Sequence, residues 1–199
     1  MLTVVVPTIS GREKSLARTI ASYEATLEKV AHEIVVVKDE SSWPRACNVG
    51  YLKSKGDVIH WTADDLEAVP GWYADVPEFL ENDELPAPAV YDYSRDGKFS
   101  NAEDGADGET TMFTRVPLCR RDQAERIGVW PEITYYADMW FSEKARSVGI
   151  ETRLLYSYAF VHHWSPIGRV DSQKNLRRAW SKFEDLCSQL KEEENASQV

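Results

Sequence analysis

Val58-Ile59-His60-Trp61-Thr62-Ala63-Asp64-Asp65 is a largely apolar run that empties into two adjacent carboxylates. Its first four residues read as a buried strand, Val58–Trp61, with a charged exit. Two units of the same kind precede it. Thr3 to Val6 is a β-branched strand stopped by Pro7. Ser10-Gly11-Arg12-Glu13 has capping-box spacing, with Ser10 expected to accept from the backbone of Glu13 and Glu13 to reach back. Leu16, Ile20, Tyr23 and Leu27 then recur at helical spacing, which predicts an amphipathic helix to about Lys29. Glu33-Ile34-Val35-Val36-Val37 is continuously apolar after its first residue, as expected of a strand covered on both faces. Pro44 opens a short helix that ends near Gly56. The order is β-α-β-α-β, and its crossovers predict an α/β fold: a mostly parallel central sheet flanked by helices, Rossmann-like, in a single domain.

Downstream the signals are more mixed. Pro70-Gly71-Trp72 marks a turn into a helix over Tyr73–Glu81, and Pro86-Ala87-Pro88 reads as a breaker before a strand over Ala89–Tyr93. Arg95 to Glu109 is rich in Gly, Asp and Asn and reads as a long loop. Met112–Val116 is expected as a strand, and Arg121–Ile127 as a helix closed by Gly128. Ala137–Val148 follows as a helix closed by Gly149. Thr152–Tyr156 reads as a strand, and Tyr158–Val161 continues it towards His162. Leu176, Trp180, Phe183 and Leu190 predict a C-terminal helix from about Ser172. Residues 1–170 are expected as the main domain, and 171–199 as this helix with an acidic tail.

Composition narrows the class. With 43% apolar and 28% charged residues, the 199-residue chain has the makings of a soluble globular domain with a real core. A formal net charge of −10 makes it a poor partner for duplex nucleic acid. No run of eighteen apolar residues occurs, so no membrane span is expected. The N-terminus has no basic segment followed by a long apolar one, so no secretion signal is expected. Cys47, Cys119 and Cys187 are odd in number and far apart, which fits inert thiols in a reducing cytoplasm.

In a parallel α/β sheet, ligands bind beyond the carboxyl ends of the strands. Those ends carry Pro7-Thr8-Ile9-Ser10-Gly11-Arg12, Lys38-Asp39-Glu40-Ser41, and Thr62-Ala63-Asp64-Asp65-Leu66-Glu67. Paired carboxylates at a sheet edge repel one another unless a cation neutralises them, and Mg²⁺ or Mn²⁺ can do so while gripping phosphate oxygens. Two Asp residues after a strand also suit a simple turn cap.

Taken in order, these segments resemble the GT-A fold glycosyltransferases, in particular the inverting family 2. The resemblance spans about residues 3 to 165. Val4-Val5-Val6-Pro7-Thr8 is similar to that family's first strand and Pro-Thr turn. Glu33 to Ser41 is similar to its second strand with the acidic pair and a serine. Asn48-Val49-Gly50, then Gly56-Asp57, match its Asn-x-Gly helix and Gly-Asp strand start. Asp64-Asp65 with Pro70-Gly71-Trp72 resembles its DXD metal motif and the following turn. Cys119 to Gly128, then Ala137-Asp138, resembles the approach to its catalytic aspartate. Val161-His162-His163 is similar to its late histidine. Four positions depart from the pattern: Lys38, Ala63 and Ala137 stand where acids are usual, and Cys47 where Arg is usual, with Arg45 nearby.

The resemblance implies a metal-dependent inverting transfer from a UDP-, GDP- or dTDP-sugar to a hydroxyl. Asp138 is then the general base, and Asp65 with His162 or His163 holds Mn²⁺ or Mg²⁺. Pro7, Thr8, Arg12, Asp39, Arg45 and Asp64 line the donor nucleotide site. From the residues themselves, Trp140 suits stacking on the acceptor or core packing, and Trp164 to Arg169 suits a lid with Arg169 as a charge clamp or an ordinary loop into the last helix. Adjacent His162 and His163 point to opposite sides of a strand, so only one of them faces the site. His60 is expected to be structural. A GT-A-like module that binds nucleotide or sugar without turnover is the competing reading. A nucleotidyltransferase is disfavoured, because Ser10-Gly11-Arg12 is too short for a phosphate loop.

Overall fold

The computed structural model describes residues 1–93, 99–101, 115–133, 135–163 and 173–197. Strands β1 (Leu2–Thr8), β2 (His32–Lys38) and β3 (Val58–Trp61) alternate with helices α1 (Glu13–Thr26) and α2 (Trp43–Lys53). Both β2 and β3 pair in parallel with β1. The remaining elements are β4 (Leu66–Ala68), α3 (Val76–Glu81), β5 (Leu85–Tyr93), β6 (Phe99–Asn101), β7 (Leu118–Arg120), α4 (Arg121–Ile127), α5 (Ala137–Ser147), β8 (Thr152–His163) and α6 (Gln173–Ser197).

The strands form two sheets rather than one. The first has the order β2-β1-β3-β7, with β7 antiparallel to β3; the second has the order β4-β8-β5-β6. In the second sheet, β5 runs parallel to β8, while β4 is antiparallel to β8 and β6 to β5.

β1 is buried along its whole length, and its alternation divides the core. Val4 and Val6 join Tyr23 and Leu27 of α1, Trp72 and Phe160 in one cluster. Val5 faces the other cluster, with Cys47 of α2, Trp61, Trp130 and Phe141 of α5. This is the layered arrangement of helices on both sides of a sheet. Phe183 and Leu190 of α6 belong to the second cluster, so the C-terminal helix packs into the same core. No helix among the described residues is long and apolar enough to cross a membrane.

Five local expectations are corrected. Among the described residues β2 is an edge strand with β1 as its one ladder neighbour, and with Val36 38% exposed the strand is not covered on both faces. Pro86 and Pro88 lie inside β5 instead of breaking it. Over Leu85–Val90, β5 has a described ladder partner on one side only, and the pairing slips between Pro88 and Val90, so the missing N–H groups are tolerated. Residues 115–116 are a bend and the strand comes later, at Leu118–Arg120, while residues 112–114 lie outside the described residues. The Ser10 capping box does not form: Arg12 occupies the N-cap position, and Ser10 donates to Asp39 instead. Within the expected loop over Arg95–Glu109, residues 99–101 form β6, and the others lie outside the described residues.

The Asn-x-Gly segment has a packing explanation. Asn48 Nδ2 donates to Trp130 O at 3.0 Å, and Trp130 N donates back to Asn48 Oδ1 at 2.9 Å, which pins α2 to the segment before α5. Gly50 lets α2 lie against β1, because a Cβ there would fall 2.2 Å from Val5 Cγ1. Gly50→Ala is therefore expected to lower the unfolding free energy by about 1–3 kcal/mol through overpacking. A urea-denaturation series with an unchanged m-value would show it; wild-type stability in the variant would refute the close packing.

Candidate active site

The carboxyl ends of β1, β2 and β3 lie side by side, as the parallel register requires. Asp39 directly follows β2, and its φ of 59° places it in the left-handed region that Asp tolerates. Asp39 N donates to Thr8 O at 3.0 Å. Its carboxylate accepts from Ser10 N at 2.7 Å and from Ser10 Oγ at 2.8 Å. These bonds hold the exposed carboxyl below the usual aspartate range. Pro7 and Thr8, both buried, close β1 opposite Val37 and Lys38.

Thr8 Oγ1 donates to Asp64 Oδ2 at 2.5 Å. Arg12 Nη2 reaches Asp64 Oδ1 at 2.8 Å and Asp65 Oδ2 at 2.5 Å. Asp64 therefore faces inward, and its residue is only 2% exposed. The second sheet supplies the last member. Antiparallel pairing sets His162 opposite Leu66, and His162 Nε2 lies 3.5 Å from Asp65 Oδ2. His163 turns elsewhere, with Nε2 2.7 Å from Glu67 Oε2. Of the two histidines, His162 is the one that reaches the acid pair.

The pair is electrostatically split. Burial lifts the Asp64 carboxyl above the usual range, more than Thr8 and Arg12 lower it. Burial also opposes the charge on Asp65, but hydrogen bonds and charge from His162 and Arg12 outweigh it and hold this carboxyl low. Asp65 is the carboxylate built to stay ionised.

These residues do not fit a divalent metal as they are arranged. Asp65 Oδ2 is engaged by a guanidinium, Ala63 brings no carboxylate, and His162 is the one histidine beside it. Among the described residues, no three His, Cys, Asp or Glu side chains converge on a point that could hold an ion.

Asp138 lies apart from this cluster, as the second residue of α5. Its Oδ1 accepts from Met139 N at 2.9 Å, satisfying one donor of the helix start. Burial raises its pKa, against a smaller lowering by hydrogen bonding and by Arg115. It lines a cavity of about 270 Å³ with Trp43, Thr62, Ala63, Arg115, Tyr135, Tyr136 and Ala137. Thr62 and Ala63 lead directly into the acid pair, and Trp43 Nε1 donates to Thr62 O at 3.1 Å. Asp39 and Asp65 are not among the walls of this cavity. Tyr136 holds a left-handed φ of 65° and packs edge-on against Trp180 of α6, their ring centroids 5.1 Å apart. A non-glycine residue in that region is strained and depends on its surroundings to stay there.

Trp43 and Arg115 escaped sequence reasoning. Trp43 reads only as the residue before Pro44, and Arg115 only as part of an expected strand. Trp140 is buried in the core cluster and is not part of the cavity wall. Arg45 is exposed and directed to Glu40 at 3.0 Å and Glu132 at 3.9 Å. Lys38 pairs with Glu13 at 3.4 Å on the surface. Arg169 and the expected lid lie outside the described residues. His60 is fully buried between Tyr23 Oη and Pro117 O, and burial pushes its pKa down to about 3, so it is a neutral structural group.

No family model matches the sequence, and no curated protein matches it. Solved structures do match. The crystal structure of S. aureus TarS aligns with a TM-score of 0.61 at 13% identity, over 93% of this chain and 43% of that one. The TarS 1–349 fragment gives 0.66 at 14% identity, over 93% of this chain and 64% of that one. The same fragment in complex with UDP gives 0.64 at 14% identity, over 95% and 64%. This chain spans less than two thirds of the length of each of these structures. TarS is a GT-A-type glycosyltransferase. At this identity the likeness concerns the fold, and the fold described above is GT-A-like.

Arg12 carries the local balance of charge. Its replacement by Met would leave two largely buried carboxylates without their cation, at a cost of about 3–5 kcal/mol. Asp65 would also lose part of what holds its pKa down, so the folded variant would bind protons more readily than wild type. Its stability deficit should therefore shrink as pH falls from 7 towards the aspartate range. Thermal melts across that span test the sign, and a deficit that grows on acidification would contradict the assignment.

Proposed function

We propose that this chain transfers a sugar from a nucleoside-diphosphate sugar to an acceptor hydroxyl, with inversion at the anomeric carbon. One observation carries the reading. Asp138, a carboxylate whose pKa burial has raised, lines an aromatic-walled cavity that abuts the residues leading into the acid pair. The likeness to TarS, one form of which is in complex with UDP, supports the donor class and favours UDP among the nucleotides.

In this reading the cavity takes the reacting sugar, with Trp43, Tyr135 and Tyr136 as apolar faces against its C–H surface. Asp138 accepts the proton of the acceptor hydroxyl as that oxygen attacks the anomeric carbon. The bond from that carbon to the diphosphate oxygen breaks, and the nucleoside diphosphate departs with the electron pair. The transition state is oxocarbenium-like, as in glycoside hydrolysis. One base on the face opposite the leaving group gives inversion. Asp39 and Thr8, at the ends of β2 and β1, lie on the nucleoside side, and Ser10 orients Asp39 as an acceptor for a base N–H. A raised pKa suits a general base, because a stronger base takes the proton more readily. The metal dependence implied by the sequence resemblance is not carried into these steps, since the donor set does not fit an ion.

Asp138→Asn should keep UDP affinity, read by calorimetry, and lose about 10²–10⁴-fold in the rate of UDP release from a UDP-sugar. The wild-type rate should fall as pH drops through the raised pKa of Asp138, giving an acid limb above the usual aspartate range. An unchanged rate in the variant would remove Asp138 as the base. UDP binding without any release of UDP would leave a silent GT-A-like binding module.

A further inference from the structure

The acid pair at the exit of β3 already holds a cation. Arg12 Nη2 contacts both carboxylates, and the three side chains are 15%, 3% and 12% exposed. Arg12 is not a loose surface arginine. It caps α1: Leu16 N donates to its carbonyl at 2.9 Å, and its own N–H donates to Ile9 O at 3.3 Å. Asp64 is held from the other side by Thr8. The contact is thus fixed by the first turn of one helix and the ends of two adjacent strands.

A divalent ion entering here would have to displace the guanidinium from Asp65 Oδ2 and then sit beside its positive charge. It would gain Asp64, Asp65 and His162 as near protein donors only by stripping the buried guanidinium of both its carboxylates, and Ala63 offers no oxygen beyond the backbone. Hard divalent ions favour several oxygen donors, so that exchange is unfavourable. Arg12 also keeps one donor in reserve. Its Nε is buried and makes no hydrogen bond among the described residues, although a guanidinium presents five N–H groups. That N–H is sealed from solvent, so an anionic oxygen reaches it only if the Arg12 side chain shifts.

We infer that Arg12 is the resident cation of this site, and that the chain takes a nucleoside diphosphate without a divalent metal ion. The inference rests on the donor class proposed above. In it, Arg12 is a fixed positive charge beside the diphosphate that stabilises the charge left on the departing group.

Two measurements on the full chain separate this inference from the functional reading. In the first, Mn²⁺ alone is titrated and followed by electron paramagnetic resonance. Wild type is expected to leave Mn²⁺ free into the millimolar range. Arg12→Met, with its carboxylates uncovered, should bind Mn²⁺ at least about tenfold more tightly and melt higher when Mn²⁺ is added. Arg12→Lys, which keeps a cation, should exclude Mn²⁺ like wild type. Micromolar Mn²⁺ binding by wild type overturns the inference, and this arm needs no variant to fold. In the second, UDP, GDP and dTDP are each titrated in excess EDTA and again with Mn²⁺. Affinities within about threefold of each other support the inference. A gain of more than about tenfold with Mn²⁺ overturns it and leaves the donor class standing. Absence of binding by UDP, GDP and dTDP in both conditions overturns the donor class, while the Mn²⁺-alone titration still decides which cation the acid pair accepts.

Discussion

Two carboxylates on consecutive residues at the edge of a buried sheet have to be neutralised, and Arg12 does this. The requirement fixes much around it. The turn after β1 has to bring Arg12 back over the sheet, so α1 begins directly after it. Thr8 has to face Asp64, so β1 and β3 have to be adjacent and parallel. The second sheet has to deliver His162 to Asp65, which the antiparallel pairing of β4 with β8 achieves. Removing water from two like charges is costly, and the geometry recovers that cost with one guanidinium, one hydroxyl and one imidazole.

The same arrangement gives neighbouring acids different characters. Asp64 is held by a neutral hydroxyl and shares the guanidinium, and burial dominates it. Asp65 faces both Arg12 and His162 and stays charged. Among the described residues, Asp138 receives its own helix's N–H and the charge of Arg115, and burial outweighs both and raises it beside the cavity. Three aspartates near one sheet edge thus differ by environment alone: burial raises the pKa of Asp64 and Asp138, while Arg12 and His162 lower that of Asp65.

The cavity beside Asp138 draws on distant parts of the chain. Trp43 comes from the start of α2, Thr62 and Ala63 from the exit of β3, and Tyr135 and Tyr136 from the entry to α5. The C-terminal helix reaches it indirectly, because Trp180 and Phe183 pack on the strained Tyr136. A segment that reads in sequence as an appendage with an acidic tail therefore supports a wall of the site.

Local pattern sufficed for the framework. The β-branched runs at Thr3–Val6 and Val58–Trp61, the helical spacing of Leu16 to Leu27 and the glycine after Ile127 each act over a few residues, so periodicity and turn chemistry reveal them directly. The acid pair, Asp138 and the late histidines stand out as charged or titratable groups at element ends, and it is the resemblance to the family 2 glycosyltransferases that implies a sugar-transfer site there. Partners were another matter. Asp65 and Arg12 are 53 positions apart, and both arginine–carboxylate contacts exist only because strand register sets Thr8 beside Asp64. Whether Ser10 caps its own helix or clamps Asp39, whether β2 is central or an edge, and which histidine turns inward were all settled by pairing between strands distant in sequence. Short-range preferences select the elements. The cost of burying unpaired charge, which depends on what lies across the sheet, selects the cation that Asp64 and Asp65 keep.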